Sequence, residues 1–332
     1  MRALVTGGAG FIGSHLCELL LERGYTVRII DDLSTGLYEN IAHLEGNGKF
    51  KIYIDTVLNR PLVEDLVKSV DIIFHLASAV GVRLIIQQPV KTIETIIEGT
   101  NVILSEARRY RKRILITSSS EVYGKGSRVP FSEEDDTVLG PTSRRRWAYA
   151  AAKGLDEFLA FAHWYETHLP IICVRLFNTV GPRQTGLYGM VIPNLVEQGL
   201  NGRDITVYGD GEQTRSFCHV DDVVGGLVAL MNCPAAIGRV VNIGNDEEVS
   251  INRLAIRVKE LTGSSAPIVH IPYDEAYDEG FEDMKRRVPD ISLATKLIGF
   301  HPQYGLDDII LSVIDSFKRV PLRNSSQLEC TF

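Results

Sequence analysis

The chain has 332 residues, enough for about two domains, and with 45% hydrophobic and 23% charged residues it has a globular composition, neither fibrous nor disordered. A net charge of −7 argues against non-specific binding to nucleic acid or an anionic membrane, while leaving room for a local positive pocket that takes a phosphate. No apolar run reaches membrane-spanning length, strand-like residues begin at Arg2 with no signal peptide ahead of them, and Cys17, Cys173, Cys218, Cys233 and Cys330 lack metal-ligand spacing, so a cytoplasmic protein with free thiols and no metal is expected.

In chain order, a short apolar strand from Arg2 to Thr6 runs into Gly7-Gly8-Ala9-Gly10-Phe11-Ile12-Gly13 and then a helix with the stripe Ile12, Leu16, Leu19 and Leu20, stopping at Gly24. Glycines at 7, 10 and 13 allow a tight turn and let backbone amides approach a pyrophosphate at the helix N-terminus. A second strand, Val27 to Ile30, ends in Asp31 and Asp32. Asp31 lies 18 residues after Gly13, where a carboxylate accepts a ribose 2′-hydroxyl and repels a 2′-phosphate, which favours NAD over NADP. Strands at Phe50 to Ile54, ending in Asp55, and Asp71 to Leu76, ending in Ala77-Ser78, alternate with helical stretches such as Leu62 to Lys68. This pattern predicts an α/β fold with a doubly wound parallel Rossmann sheet. His75 on a buried strand reads as a satisfied core histidine, and the basic run Arg108 to Arg113 as a helix C-terminus.

The stretch Thr117 to Lys153 carries the chemistry. The apolar run Ile114-Leu115-Ile116 delivers Thr117, Ser118, Ser119, Ser120 and Glu121 at a strand's carboxyl end, and Tyr149 and Lys153 fall four apart on one helix face. A tyrosine is a poor base in neutral water; an adjacent ammonium and a cationic nicotinamide both favour the phenolate, so Tyr149 is expected near neutrality, with Ser119 holding the same substrate oxygen. After strand Ile171 to Phe177 come Asn178 and Gly181-Pro182-Arg183, then shorter elements: a helix near Pro193 to Gly199, a strand Ile205 to Tyr208, Arg215, a helix Asp221 to Met231, and a strand Val240 to Ile243 that returns to the main sheet. The expected organisation is a Rossmann domain over 1–184, joined by the elements at 221–245, with a smaller interleaved substrate lobe over 185–320. Residues 274–287 are expected to loop over the site and 321–332 to form a patternless tail.

These pieces resemble the extended short-chain dehydrogenase/reductase family that modifies nucleotide sugars. The similarity rests on Thr6 to Gly13, Phe74-His75-Leu76-Ala77, Ser119 four residues before Tyr123, Tyr149 with Lys153, Phe177-Asn178, and Arg215 in Thr214 to Phe217. The resemblance implies catalysis by Ser119, Tyr149 and Lys153, and an NAD site at Gly7, Gly10, Phe11, Ile12, Gly13, Asp31, Asp32, Asp55, Leu76, Ala77, Thr117, Tyr149 and Lys153. It implies a UDP-sugar site that draws on Ser119, Tyr149, Asn178, Arg183, Val191, Tyr208, Arg215 and Arg287, with Asn178 and Arg215 at the diphosphate. Helices near 95–110 and 150–168 would form a four-helix homodimer contact. Ile96 departs from the family, many of whose members carry Asn there.

Within the family, Ser119 to Gly124, Gly140-Pro141 through Tyr149, and Gly280 to Asp290 are most similar to UDP-glucuronate decarboxylases, in which an arginine at the Arg287 position faces the substrate carboxylate. The expected chemistry is oxidation at C4, loss of carbon dioxide, and reprotonation at C5 assisted by Glu121, Ser120 or a water. Alternatives are 4-epimerisation of UDP-glucuronate or UDP-glucose, a GDP-mannose-type 4,6-dehydratase, and a non-catalytic NAD-sensing regulator. The plainer alternative for Glu121 is a structural carboxylate paired with a nearby arginine.

Overall fold

The computed structural model describes residues 1–78, 89–186, 190–272, 275 and 284–319. Thus most of the stretch 274–287, with Gly280 to Asp283, and the tail 321–332 lie outside the described residues. The first half of the chain forms β1 (Arg2–Thr6), α1 (Phe11–Glu22), β2 (Thr26–Asp31), β3 (Phe50–Ile54), α2 (Arg60–Ser69), β4 (Ile72–His75), α3 (Pro89–Arg109), β5 (Arg113–Ser119), α4 (Ala148–Thr167) and β6 (Ile171–Leu176). The second half forms β7 (Thr179–Val180), α5 (Val191–Leu200), β8 (Ile205–Tyr208), β9 (Thr214–Ser216), β10 (Cys218–His219), α6 (Val220–Met231), β11 (Arg239–Ile243), β12 (Glu248–Ser250), α7 (Ile251–Thr262), β13 (Ile268–Ile271), β14 (Arg286–Arg287), α8 (Ser292–Ile298) and α9 (Leu306–Arg319).

Seven parallel strands form the main sheet in the order β11-β6-β5-β4-β1-β2-β3, so the winding reverses between β1 and β4. A crevice at the carboxyl ends of the strands follows from that reversal. Both sheet faces are covered, which is why the strands read as continuous apolar runs rather than alternating ones. Ala3, Val5, Phe74, Leu115 and Val174 pack on the side of α1 and α6, whereas Leu4, Ile73, Ile114, Ile116 and Cys173 pack beneath α2, α3 and α4. Each fully buried Leu or Ile contributes about 1.5–3 kcal/mol, so the two faces together fix the sheet's register. A third apolar cluster, with Ile192, Leu195, Ile205, Val207, Leu254, Val258, Ile310 and Val313, forms a separate core from α5, α7, α9 and β8. Between its elements, α6 and β11 return to the main sheet, β11 pairing with β6.

Several boundaries differ from the sequence expectation. β4 is Ile72–His75: Asp71 leaves the strand to bind Arg2, and Leu76 lies beyond its end. α4 begins at Ala148, placing Tyr149 in its first turn. The basic run is divided: Arg108 and Arg109 close α3, Arg111 turns with φ 52°, and Arg113 opens β5. Strands β12 and β14 sandwich β9, antiparallel and parallel respectively, and are too short to leave a periodic signature. Among the described residues no helix is long and apolar enough to cross a membrane, and Cys17, Cys173, Cys218 and Cys233 are free thiols; Cys330 lies outside them.

Candidate active site

The glycine turn between β1 and α1 is closed to side chains at two points. Gly7 has φ +72°, and a Cβ there would stand 2.9 Å from the amide nitrogen of Ala77; a Cβ on Gly13 would lie 2.0 Å from the Gly7 carbonyl oxygen. Gly10, Phe11 and Ile12 lie between them at the start of α1, so the turn presents backbone N–H groups and a helix N-terminus to the crevice. Asp31 ends β2 and accepts N–H bonds from Ala9 and Leu33, each 2.9 Å. Burial pushes its pKa up against those bonds. Asp32 accepts from the Ser34 amide and is exposed, while Asp55 accepts from the Thr56 amide and the Asn59 side chain, both at 2.7 Å. Leu76 and Ala77 lie past β4; the Ala77 N–H donates to Thr6 Oγ1, and Thr117 Oγ1 donates to the His75 carbonyl. A cradle that rejects Cβ atoms, with a carboxylate at the end of the second strand, fits a dinucleotide pyrophosphate and ribose.

β5 ends at Ser119, which caps a 3-10 turn over Ser120–Tyr123: Ser119 Oγ accepts the Glu121 N–H at 3.2 Å. Its own proton is thereby left to donate outward. Ser120 is buried within the turn. Tyr149 is buried against Ile96 and Ala152, so the position departing from the family packs on the phenol rather than bonding to it. Burial, then the Glu121 carboxylate, raise the Tyr149 pKa, while the Ser119 and Ser78 hydroxyls pull it down. The expectation of a phenol near neutrality counted an adjacent ammonium and a cationic nicotinamide, and burial works against both. Lys153 Nζ is 3.3 Å from Asp156 Oδ2, both side chains being buried, so a local carboxylate offsets the ammonium's effect on Tyr149.

At the other end, Glu121 is held by two arginines, with Arg146 Nη1 donating to Oε2 at 2.6 Å and Arg287 Nη1 donating to Oε1. Burial opposes ionisation, but the charges of Arg287 and Arg146 outweigh it and hold the carboxyl down to about 2. In this state Glu121 fits the paired-carboxylate alternative better than an acid–base role. Arg287 Nη2 donates to Asn178 Oδ1 at 2.5 Å, and Asn178 Nδ2 donates to the Ser216 carbonyl at 2.8 Å. The Arg287 Nε is buried and has no acceptor among the described residues. Arg215 is the register partner of Arg287 across β9 and β14, which puts two guanidinium-bearing residues side by side. Neighbouring like charges disfavour the pair unless an anion lies between or above them.

Not every expected residue joins this group. Arg183 is turned to α1, where it binds Ser14 at 3.1 Å and pairs with Glu18. Val191 opens α5 and Tyr208 ends β8 with 39% exposure, on the lobe's side of the crevice. Sequence reasoning did not single out Arg146 or Asp156. Arg146 stood within a run of three arginines that reads as a solvated loop, and Asp156 three residues after Lys153 reads as an ordinary helix-surface pair. His75 is the satisfied core histidine expected, bonded to Thr6 Oγ1 and Thr100 Oγ1.

A doubly wound sheet with a glycine cradle, with Ser119 at the carboxyl end of β5 and Tyr149 and Lys153 on α4, defines an extended short-chain dehydrogenase/reductase. The family profile described as GDP-mannose 4,6 dehydratase matches residues 4–313, and the chain belongs to that family. It is 40% identical over 320 residues to a UDP-N-acetyl-alpha-D-glucosaminuronate decarboxylase of Bacillus cytotoxicus, covering 96% of this chain and 98% of the relative. It is 38% identical over 318 residues to UDP-glucuronic acid decarboxylase 1 of Xenopus tropicalis, covering 96% and 72%. The crystal structure of a UDP-glucuronic acid 4-epimerase from Bacillus cereus, in complex with UDP-glucuronic acid and NAD, superposes with a TM-score of 0.85 at 31% identity over 96% of this chain and 99% of that one.

Proposed function

We propose that this chain is an NAD-dependent decarboxylase of a UDP-linked uronic acid. The observation that carries the proposal is Arg287: a largely buried guanidinium with an unused Nε–H, joined through Glu121 to the surroundings of Tyr149, is suited to a substrate carboxylate. The Gly7–Gly13 turn and Asp31 would hold NAD, which when bound would supply a hydride acceptor and later a donor for C4. Tyr149 takes the C4 hydroxyl proton while Ser119 donates to the same oxygen, and Lys153 lies one turn further along the helix. Once C4 is a ketone, the C5–C6 bond is that of a β-keto acid; its electron pair moves toward the C4 oxygen and carbon dioxide leaves. Tyr149 and Ser119 stabilise that enolate oxygen. C5 then takes a proton, from a water or Ser120 while Glu121 stays bound to Arg146, and C4 is reduced to give the UDP-pentose. If C4 is not reduced, the product is the 4-keto pentose. Arg215 and Asn178 lie where a diphosphate would relieve the charge of the paired strands β9 and β14.

The similarity to a UDP-glucuronate 4-epimerase supports one alternative, rotation of the keto sugar and hydride return to its other face. Incubation with UDP-glucuronate and with UDP-N-acetylglucosaminuronate, followed by mass spectrometry, decides. Loss of the mass of carbon dioxide from either is the expected outcome, whereas conversion to a galacto isomer at unchanged mass rejects decarboxylation in favour of epimerisation. Any turnover excludes a non-catalytic regulator. We also infer a homodimer through α3 and α4, since Leu155, Phe158 and Tyr165 lie along one exposed face of α4, Phe158 and Tyr165 being 76% and 75% exposed.

A further inference from the structure

Behind the catalytic lysine lies a buried polar chain that the proposed reaction does not use. The Ala77 N–H donates to Thr6 Oγ1 at 3.1 Å, Thr6 Oγ1 is 2.8 Å from His75 Nδ1, and His75 Nε2 is 3.2 Å from Thr100 Oγ1. Asp156 is buried beside this chain: its Oδ2 meets Lys153 Nζ at 3.3 Å, and its Oδ1 has no hydrogen-bond partner among the described residues. Thr6, His75, Thr100, Lys153 and Asp156 are each at most 3% exposed.

We propose that Asp156 is a positioning residue for the reaction: buried against Lys153 beside this polar chain, it holds the ammonium and sets how readily Tyr149 releases its proton. This rests on the reading of Tyr149 as the base. Burial, then the charge of Lys153, bring the His75 pKa down to about 3, so the imidazole is a neutral, fixed dipole rather than a proton carrier. Burial raises the Asp156 pKa, while Lys153 and Thr100 lower it. The Asp156 charge raises the Tyr149 pKa. Around Tyr149 stand Ser119 of β5, Glu121 of the following turn, Ser78 beyond β4, Ile96 of α3, and Lys153 and Asp156 of its own helix. Around Asp156 stand Lys153, Thr100 of α3, and Glu157, whose own carboxylate is bound to Arg175 of β6. With Ile96 and Ala152 packed on the phenol, little solvent screens these charges from one another.

The test is an ultraviolet titration of phenolate in the NAD-loaded protein, taken as the parent minus Tyr149→Phe, together with the pH profile of UDP-glucuronate turnover. Removing the Asp156 charge leaves Lys153 unopposed, so Asp156→Asn should move the Tyr149 titration, and the acidic limb of the rate, down by about one pH unit. Asp156→Leu removes the same charge and should move both in the same direction; this variant decides if circular dichroism shows that Asp156→Asn does not fold. A folded variant that loses activity with an unmoved titration has only a structural role at Asp156, which overturns the proposal. If Tyr149→Phe keeps full turnover and removes no titration, the base assignment fails and this proposal fails with it; if Tyr149 titrates and is required but neither variant moves it, only this proposal fails.

Discussion

Truncating Arg287 is the sharpest test of what the site recognises. Its guanidinium is 15% exposed and spends Nη1 on Glu121 and Nη2 on Asn178, with Nε left over. A substrate carboxylate would gain charge-assisted bonds in a largely dry site, where loss of one partner costs about 2–5 kcal/mol. Arg287→Ala should therefore weaken UDP-glucuronate binding by about 30- to 5,000-fold. UDP-glucose lacks the carboxylate and should lose less than about tenfold. Calorimetry on the NAD-loaded protein with both ligands measures the ratio, and the neighbouring Arg286→Ala, whose guanidinium is exposed and bound to Glu248, should leave it unchanged. Equal weakening of both sugars in Arg287→Ala would refute a carboxylate-reading role. The same substitution has a pH signature. Burial resists ionisation of Glu121, but Arg287 and Arg146 hold it at about 2 against an ordinary 4.5. A depressed carboxyl contributes stability that is present above 4.5 and is lost as pH falls toward 2. Without Arg287 that contribution should shrink, and its loss should be complete at a higher pH in acid unfolding curves.

Tyr149→Phe should retain NAD and UDP-sugar binding yet show no reduced nicotinamide in a single turnover followed by absorbance; reduction at the parent rate would rule out Tyr149 as the base. With Asp31 at the end of β2, NAD should bind at least about tenfold tighter than NADP, a difference of about 1.4 kcal/mol, and equal affinities in a fluorescence titration would remove the ribose assignment. Phe158→Glu, on the exposed face of α4, should convert a dimer to a monomer in sedimentation velocity; an unchanged sedimentation coefficient would place the contact elsewhere.

The main sheet was legible because its strands are buried on both faces and its helices carry long apolar stripes. Runs such as Ile114 to Ile116 and Val240 to Ile243 therefore announce themselves without any partner in view. The glycine turn and Asp31 were legible for a related reason: their roles are local, set by backbone approach within one strand–turn–helix unit. Tyr149 and Lys153 share a helix face by spacing alone. What only the tertiary structure decided is everything that depends on partners distant in sequence. Arg287 reaches Glu121 across 166 positions through a two-residue strand, too short for periodicity, whose pairing with β9 sets its register beside Arg215. Arg183 looked equally fit for an anion but is claimed by Glu18, because the turn after β7 packs on α1. The phenol of Tyr149 was expected near neutrality from Lys153 and a cationic nicotinamide, and burial and the Glu121 carboxylate, which the fold brings to it, work the other way. Charges act through space, and which charges are neighbours, and how dry the medium between them is, are properties of the packed chain.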